Sequence, residues 1–492
     1  MKKIIEVEEM NMRYTKIICT LGPSTGTEEA ITQLLQAGMN VARLNFSHGT
    51  HEFHARMISL LRNCSQKLNI PVAILQDLQG PKLRVGDLPE EGVRLPDGST
   101  VYLYVVGESE PEKITGREYL PLLVPNLAKA VKPGRRILLD DGNLELQVID
   151  VSGDTVIARV VHGGLITSHK GVNLPGTDLQ IPAFTPKDRA DLEFGLSQDI
   201  DGIAVSFIEK AADIEVVRQA IKEIAPQKAR LPIIAKLERP EAIHNLHEIM
   251  HAADGVMVAR GDLAVETSPS TVPVIQKEVI RMANRHAKVV ITATQMLDSM
   301  MRNPRPTRAE ASDVANAVFD GTDLVMLSGE TASGAYPIES VKMMDEIVRE
   351  AEKHSMEWSR LVDLPEEAKK DDALSITRAA RELAHDRNVA NIAVFTHSGN
   401  TALLMSKSRP RVPILACTPE ISTYHKLSFY WGVVPLLVPH ASTLEEMVQS
   451  VDRVLGKSNL KPGQQVILIS GFPIEANRPP NLALLHTLGE SI

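Results

Sequence analysis

Eight short apolar runs rich in β-branched residues, each followed by a stretch of helical periodicity, constrain the fold of this 492-residue chain most strongly. The runs lie at 15–22, 39–47, 71–77, 202–208, 231–238, 255–262, 288–295 and 323–330. Two parallel strands need a crossover of a dozen or more residues, which a helix supplies. Eight strands that alternate with helices are typical of a (β/α)8 barrel, so we predict a TIM barrel of the α/β class.

The C-terminal ends of these predicted strands carry acids, bases and hydroxyls rather than simple turn-forming residues. A TIM barrel places its functional residues at these ends. The alternative is that the strands become polar only because they reach the surface. The residue types favour function, and the candidates are Arg43, Asn45, Ser47, Asp77, Lys236, Glu238, Asp262, Thr294, Ser328 and Glu330.

Two consecutive runs end in charged residues that we expect to lie side by side. One run ends in Lys236 and Glu238, and the next ends in Gly261 and Asp262. Carboxylates bind hard divalent cations through oxygen, and the lysine adds a positive charge beside them. Such a set suits a substrate that carries phosphate or develops enolate charge.

The third and fourth runs are separated by a segment too long for a βα loop. Its alternating stretches and Asp-Gly turns predict an inserted small β-barrel that acts as a lid. After a charged, proline-containing stretch, helix and strand patterns resume, which predicts a C-terminal α/β domain with a mostly parallel sheet. The predicted division is an N-terminal segment 1–14, barrel 15–85 and 184–357, lid 86–183, linker 358–372 and C-terminal domain 373–492.

Composition excludes several classes of protein. The net charge is -9 and no long basic block occurs, which argues against a nucleic-acid or anionic-membrane partner. The three cysteines, Cys19, Cys64 and Cys417, form no CxxC pair, so neither a disulfide framework nor a structural zinc site is expected. No export signal and no run of 18 apolar residues is present, so we expect a cytoplasmic protein.

Two short motifs resemble known sites but lack part of the required pattern. His247 and His251 match the zinc pattern HExxH, but no third ligand is apparent nearby, and the helix should lie at the face opposite the predicted site. Gly456-Lys457-Ser458 lacks the first glycine of a phosphate-binding loop, because Val451 occupies that position. We interpret the first as a structural helix and the second as a loop.

Taken together, the motifs closely resemble those of pyruvate kinases, in order and over nearly the whole chain. They are KIICTLGPST, MNVARLNFSHG, SHKGVNLPG, IIAKLERPEAI, ADGVMVARGDL, TATQML and RPTRAEASDVANAVFDGTDLVMLSGETASGAYP. The resemblance implies transfer of phosphoryl from phosphoenolpyruvate to ADP, which gives pyruvate and ATP. It also implies a barrel with a lid, a regulatory C-terminal domain and a homotetramer.

The resemblance also implies roles for the predicted rim residues. Glu238 and Asp262 match the ligands of the divalent cation, Mg2+ or Mn2+, and Lys236 matches the cation that faces the transferred phosphoryl group. Arg43 matches the arginine that binds this group, and Thr294 lies at the substrate carboxylate. Charge on the phosphoryl group is what a lysine and a metal ion stabilise.

Further positions match the carboxylate, proton-transfer and nucleotide sites of the family. The backbone amides of Gly261 and Asp262 would bind the carboxylate at a helix N-terminus. Protonation of the enolate would run through Thr294, water and a relay with Ser328 and Glu330. The expected nucleotide-binding residues are Asn45, His48, Arg84 and Lys170, with the lid closing over them.

One departure from the family pattern changes the expected cofactors. Many members read DTKGPE here and bind K+ through residues that correspond to Asn45, Ser47, Asp77 and Leu78. In this chain Lys82 occupies the position of their glutamate. Its ammonium group can supply the charge of K+, so we predict activity without a monovalent cation.

The loop after the first strand of the C-terminal domain matches the family's effector loop. It consists of Thr396, His397, Ser398, Gly399, Asn400 and Thr401 and precedes a helix, which suits a phosphorylated effector. An ordinary βα turn is the alternative for this loop.

Two other functions are alternatives for the whole chain. A lyase or aldolase acting on a pyruvate enolate explains Glu238 and Asp262, but it does not explain Lys170 or the lid. A metabolite-binding regulator on a decayed barrel predicts substitutions at the strand ends. The positions that carry the transfer show none.

Overall fold

The computed structural model describes residues 13–108, 110, 114–177, 179, 181–358, 371–456, 462–476 and 478–490. Most of the predicted N-terminal segment and linker therefore lies outside the described residues, as do Lys457 and Ser458. Strands and helices are numbered along the chain. None of the helices within the described ranges is long and apolar enough to span a membrane.

The eight predicted runs form one closed barrel in which all neighbouring strands are parallel. This confirms the TIM barrel. Its strands are β1 (Lys16–Thr20), β2 (Val41–Asn45), β3 (Ala73–Asp77), β13 (Gly202–Val205), β14 (Ile233–Leu237), β15 (Gly255–Ala259), β16 (Val289–Ala293) and β17 (Leu324–Leu327).

Helices surround the barrel, and local sequence fixes several of their ends. Thr307 and Glu310 form a reciprocal capping box at the start of one helix, and Gly321 ends it in the left-handed conformation at φ 93°. The helices are α1 (Glu28–Ala37), α2 (His51–Leu68), α4 (Pro186–Ser197), α5 (Ala211–Ile224), α6 (Pro240–His244), α7 (Leu246–Ala252), α8 (Arg260–Glu266), α9 (Val272–Arg285), α10 (Arg308–Asp320), α11 (Gly329–Ala332) and α12 (Pro337–Trp358).

The insert between β3 and β13 folds into two sheets. A seven-stranded sheet has the order β12-β8-β9-β10-β6-β7-β4, and β11 pairs with β5. The sheet already begins at Arg84, two residues before the predicted start of the lid at 86. Its elements are β4 (Arg84–Val85), β5 (Val93–Leu95), β6 (Thr100–Val105), β7 (Glu118–Leu123), α3 (Leu127–Ala130), β8 (Arg136–Leu139), β9 (Leu144–Ser152), β10 (Thr155–His162), β11 (Gly164–Ile166) and β12 (Val172–Asn173).

The C-terminal domain has a five-stranded sheet of order β20-β19-β18-β21-β22. Four strands are parallel and β22 is antiparallel to β21, which confirms the mostly parallel sheet. Its elements are α13 (Asp372–Arg387), β18 (Asn391–Phe395), α14 (Asn400–Lys407), β19 (Ile414–Thr418), α15 (Ile421–Lys426), β20 (Val433–Leu437), α16 (Leu444–Leu455), β21 (Gln465–Ser470) and β22 (Leu482–Thr487).

The C-terminal domain contacts the barrel at the N-terminal ends of the barrel strands. The Lys16 ammonium group, at the start of β1, donates to the Val433 carbonyl over 2.8 Å. A Cβ added at Gly202, the first residue of β13, would lie 3.3 Å from the Phe429 ring. These contacts close one end of the barrel and leave the C-terminal rim for a functional site.

A buried ion cluster joins the two domains. Asp323, 1% exposed, accepts from Lys407 and, over 2.7 Å, from Arg409. The same carboxylate accepts from the Val290 amide over 2.8 Å. Lys407 is 3% exposed, so its charge has little access to water.

We predict that Asp323→Asn lowers the free energy of unfolding by about 3–5 kcal/mol, because it leaves the buried Lys407 and the partly buried Arg409 without their carboxylate. Thermal and urea unfolding of the full chain would measure the loss. The control is Glu350→Gln, which removes an exposed pair with Lys353 and should cost less than about 1 kcal/mol. Equal effects of both substitutions would contradict the prediction.

Candidate active site

The carboxylate of Asp77 at the end of β3 binds two cations from other strands. Its Oδ2 lies 2.6 Å from Arg43 Nε of β2, and its Oδ1 lies 3.3 Å from Lys236 Nζ of β14. Arg43 also donates to the Thr20 hydroxyl over 3.0 Å. The structure therefore brings three of the predicted residues into one buried network inside the rim.

Burial and charge act in opposite directions on this network. Burial would lower the pKa of Lys236, but the Asp77 and Glu238 carboxylates outweigh it and raise that pKa above its ordinary value. Burial would raise the pKa of Asp77, but Lys236 and Arg43 lower it below the usual range. The lysine is thus held as a cation and Asp77 as an anion.

Glu238 and Asp262 provide the two carboxylates expected beside the lysine. Glu238, 2% exposed, lies 2.9 Å from Lys236 Nζ and accepts from the Phe207 amide over 2.7 Å. Asp262 is half-buried at the start of α8. Burial and then the neighbouring Glu238 raise the pKa of Asp262 to about 7. Two carboxylates that oppose each other's ionisation form a donor set that a divalent cation would neutralise.

Ser206 belongs to this network and was not predicted. Lys236 Nζ donates to its hydroxyl over 2.7 Å, and the hydroxyl donates to the Leu78 carbonyl over 2.8 Å. Ser206 follows β13, within a run whose sequence indicated only a strand. The hydroxyl fixes the direction of the ammonium group without adding charge.

The hydroxyl of Thr294 contacts the amide of Gly261, where the substrate carboxylate is expected to bind. The Gly261 amide donates to Thr294 Oγ1 over 2.8 Å, and Thr294 Oγ1 donates to the Ala293 carbonyl over 2.7 Å. Thr294 has φ 69°, a strained value for a β-branched residue. Arg260, which was given no predicted role, donates to the Thr294 carbonyl over 2.8 Å and pairs with Asp313 at 2.7 Å. These contacts hold the Thr294 backbone in its unusual conformation.

The Glu330 carboxylate is engaged with backbone amides. Its two oxygens accept from Leu297 at 3.0 Å and from Ser328 at 2.7 Å, and burial raises its pKa. The Ser328 hydroxyl is buried without a hydrogen-bond partner. In this arrangement Glu330 ties the loop after β16 to the turn after β17. The proton relay through Ser328 and Glu330 stays a prediction.

A cleft between the rim and the insert contains most of the predicted nucleotide residues. His48, Arg84 and Lys170 line it, together with Lys82 and Asp262. Lys170 Nζ pairs with Asp140 at 2.7 Å, and Arg84 donates to the His169 carbonyl over 2.6 Å. The cleft therefore joins one predicted metal ligand, Asp262, to the cations Arg84 and Lys170 of the nucleotide side.

Asn45 does not line this cleft. Its side-chain oxygen accepts from the Ser47 amide over 3.1 Å, as in a turn after β2. Asp140, which pairs with Lys170, was not predicted. No signal in the sequence distinguishes it from the other turn-forming aspartates of the insert.

Lys82 points toward the charged groups of the rim. Burial lowers its pKa first, Arg84 and Lys236 lower it further, and Asp77 and Asp262 oppose this effect. No ion pair joins Lys82 to a carboxylate within the described ranges. The charge of Lys82 thus interacts with Asp262, a predicted metal ligand, and with Lys236, which is predicted to face the phosphoryl group.

The loop Thr396–Thr401 adopts a compact turn at the start of α14. The Gly399 amide donates to Thr396 Oγ1 over 3.0 Å, and Thr423 Oγ1 donates to the His397 carbonyl over 2.6 Å. A cleft beside it is lined by Ser398, Asn400, Ser470 and Arg478, among others. The helix N-terminus and the arginine favour an anionic ligand there.

The structure also shows where the HExxH motif and Gly456 lie. His247 and His251 lie on α7, and the ring of His286 lies 5.3 and 5.0 Å from theirs, but these three imidazoles are not among the described groups whose ligand atoms lie within 4.8 Å of one another. The imidazole comes from the residue after α9, and sequence spacing gave no sign of it. Gly456 ends α16 rather than starting a helix. Lys457 and Ser458 lie outside the described residues.

Comparison with known families agrees with this geometry. The model of the pyruvate kinase barrel domain matches residues 12–341, and the model of the pyruvate kinase alpha/beta domain matches residues 374–486. The chain belongs to the pyruvate kinase family. It is therefore a phosphotransferase.

Curated pyruvate kinases align along nearly the whole chain. The protein from Clostridium acetobutylicum is 42% identical over 96% of this chain and 98% of its own length. The protein from Corynebacterium glutamicum is 42% identical over 97% of this chain and 98% of its own length. The pyruvate kinase of Geobacillus stearothermophilus is also 42% identical, over 97% of this chain and 81% of its own.

We predict that Ser206→Ala lowers kcat by about ten-fold with little change in KM, because the ammonium group of Lys236 loses a fixed partner worth about 1.4 kcal/mol. Initial rates of ATP formation would measure this. Ser270→Ala, at an exposed serine, is the matched control and should leave both constants unchanged. An unaltered kcat in Ser206→Ala would show that the hydroxyl does not orient the lysine.

Proposed function

We propose that the barrel rim binds phosphoenolpyruvate with its phosphoryl group between Lys236 and Arg43. The observation that carries this assignment is the network in which the Asp77 and Glu238 carboxylates hold Lys236 charged and the Ser206 hydroxyl accepts from its ammonium group. Charge spreads over the phosphoryl oxygens during transfer, so fixed cations stabilise it without reorganisation. The substrate carboxylate would lie at Thr294 and the amides that begin α8.

Glu238 and Asp262 would hold Mg2+ or Mn2+. The donor set fits the ion, since both ligands are carboxylate oxygens and the raised pKa of Asp262 reflects burial and an unfavourable neighbour. When bound, the ion supplies positive charge to the phosphoryl oxygens. Lys236, on the strand that leads to Glu238, contacts the Glu238 carboxylate at 2.9 Å and the Asp77 carboxylate at 3.3 Å.

ADP would bind in the cleft between rim and lid, with Arg84, Lys170 and His48 toward its phosphates. Lys170 is half-exposed and paired with Asp140, so a phosphate can compete for it at low cost. Closing the lid would exclude water from the transferred group and prevent its hydrolysis. Asn45 would then act by shaping the turn before His48.

Protonation of the enolate would use the Thr294 hydroxyl, which is near the expected position of the substrate carbon. The buried Ser328 hydroxyl has no hydrogen-bond partner among the described residues and could contribute to the relay. Glu330 holds the backbone of Ser328 and that of Leu297, in the loop that follows Thr294. Its raised pKa is compatible with a role in proton transfer.

We expect Lys236→Met to lower kcat by at least about 10³-fold, comparable to the loss of a main electrostatic stabiliser. A coupled assay of ATP formation from phosphoenolpyruvate and ADP measures it, and it also separates phosphoryl transfer from a lyase reaction. Lys277→Met, at an exposed lysine, is the control. Full turnover in Lys236→Met would refute the role given to this lysine.

Activity should not require a monovalent cation, because Lys82 brings a fixed positive charge to the site. Burial first, and then the charges of Arg84 and Lys236, lower the pKa of Lys82, which supports a region where a further cation such as K+ would be repelled. Asn45, Ser47, Asp77 and Leu78 would then have structural roles. Asp77 already has one, through Arg43 and Lys236.

Turnover in a tetramethylammonium buffer should equal turnover in K+. In Lys82→Glu, we expect activity to fall by about ten-fold or more in tetramethylammonium and to recover when K+ is added, since the charge would have to come from the ion. The control is Lys129→Glu, on the surface of the lid. A wild-type enzyme that is active only with K+ would overturn the proposal.

We also propose the regulation, assembly and location that are typical of the family. A phosphorylated metabolite would bind at Thr396–Thr401 and regulate the enzyme, and the subunits would form a homotetramer in the cytoplasm. The anion-favouring cleft at the start of α14 supports the effector site. Neither a nucleic acid nor a membrane is expected as a partner.

A further inference from the structure

Three side chains converge at one edge of the C-terminal sheet, and only one of them, His397, belongs to the loop proposed for the effector. His397 follows β18, Glu420 follows β19 and His440 follows β20. These strands are neighbours and parallel, so their carboxyl ends meet at one edge. In open α/β sheets this edge is the usual place for a ligand.

The distances between these groups suit a shared ion rather than direct contact. Glu420 Oε1 lies 3.9 Å from His397 Nδ1 and 3.9 Å from His440 Nε2. Ligand atoms of all three residues lie within 4.8 Å of one another. A hydrogen bond would need about 2.7–3.2 Å. Bonds of about 2.0–2.2 Å to a tetrahedral ion separate its ligands by about 3.4 Å, so a small inward movement would close the set.

The backbone beneath each ligand is fixed, while the side chains remain accessible. Thr423 Oγ1 donates to the His397 carbonyl over 2.6 Å. Val438 and Ala441, which flank the His440 segment, are 5% and 1% exposed. The side chains of Glu420 and His440 are 50% and 66% exposed, so an ion can reach them from solvent. Little ordering of the main chain would be needed on binding.

We propose that His397, Glu420 and His440 form a binding site for a late first-row divalent cation, with Zn2+ favoured. Two imidazole nitrogens and one carboxylate oxygen match the three-ligand zinc sites that leave a fourth position for water or another ligand. Mg2+ prefers oxygen ligands only, so the catalytic cation is a poor fit here. Because His397 lies within the loop Thr396–Thr401, a bound ion would hold this loop to β19 and β20.

Other clusters among the described residues are weaker candidates. Asp199, Asp201 and His425 also bring ligand atoms within 4.8 Å, but Asp201 already accepts from Arg62 and from the Ile74 amide. The imidazoles on α7 and after α9 lie near one another, yet they are not among the groups that converge to this distance. Both remain useful as internal controls.

The test compares Zn2+ binding to the full chain and its variants after removal of metal by a chelator. Isothermal titration with saturating Mg2+ present would count Zn2+ equivalents in wild type, Glu420→Gln, His440→Gln and His251→Gln. We expect Glu420→Gln and His440→Gln each to weaken one equivalent by roughly 100-fold or more, as for loss of a ligand. His251→Gln should bind like the wild type.

Cobalt substitution provides a second readout that does not depend on activity. Co2+ in a four-coordinate nitrogen and oxygen site should give intense visible absorption, which Glu420→Gln and His440→Gln should abolish. Both side chains are exposed, and Glu420, which is the N-cap residue of α15, makes no side-chain capping hydrogen bond. ATP formation without Zn2+ should therefore be unchanged, which verifies folding. Zn2+ binding that is unaltered in both variants, or lost only in His251→Gln, would overturn the proposal.

Discussion

Closure of eight parallel strands into one barrel is the constraint on which the rest of the molecule depends. Since every strand runs in the same direction, every carboxyl end reaches the same rim, and residues distant in sequence must share a small volume. Asp77, Arg43 and Lys236 come from three strands and meet there within hydrogen-bonding or ion-pair distance. Their mutual charges make burial tolerable, because each cation has a carboxylate partner. The C-terminal domain occupies the opposite end, so its contacts do not compete with the rim.

Sequence predicted the strand ends well because a buried parallel strand is a continuous apolar run whose polar terminus is easily seen. Lys236, Glu238 and Asp262 were found in this way, and their positions need only the strand pattern and one crossover. Ser206 was missed because a hydroxyl within an apolar run has no signal of its own until the neighbouring strand supplies the ammonium group. The central role of Asp77 was also missed, since its partners lie on β2 and β14 and its sequence neighbours do not reveal them.

In the insert and the C-terminal sheet, too, some strands and contacts could not be predicted from the sequence. The strand β7 contains Pro121, which normally argues against a strand, yet it pairs with β6 and β4, and Pro121 itself lies opposite Tyr104 and accepts from the Gly86 amide. The antiparallel β22 lies near the end of the chain in a stretch that follows a proline pair. His286 approaches the histidines of α7 only because α7 and α9 pack side by side. Tertiary packing brings such groups together, and a single sequence carries no record of it.

The proposal that Lys82 takes the place of a monovalent ion has a further electrostatic consequence for the rim. A glutamate with a bound K+ contributes no net charge, whereas a lysine contributes one positive charge, so the cleft is more positive by one unit. Nearby, Lys236 and Arg84 already lower the pKa of Lys82 in addition to burial, which shows that the added charge is costly in the free site. A substrate pair that carries several phosphate charges would relieve this repulsion on binding. The energy of the crowded cations would then favour the closed, substrate-filled cleft over the open one, and a fixed ammonium group would provide this bias without the entropy cost of capturing an ion from solution.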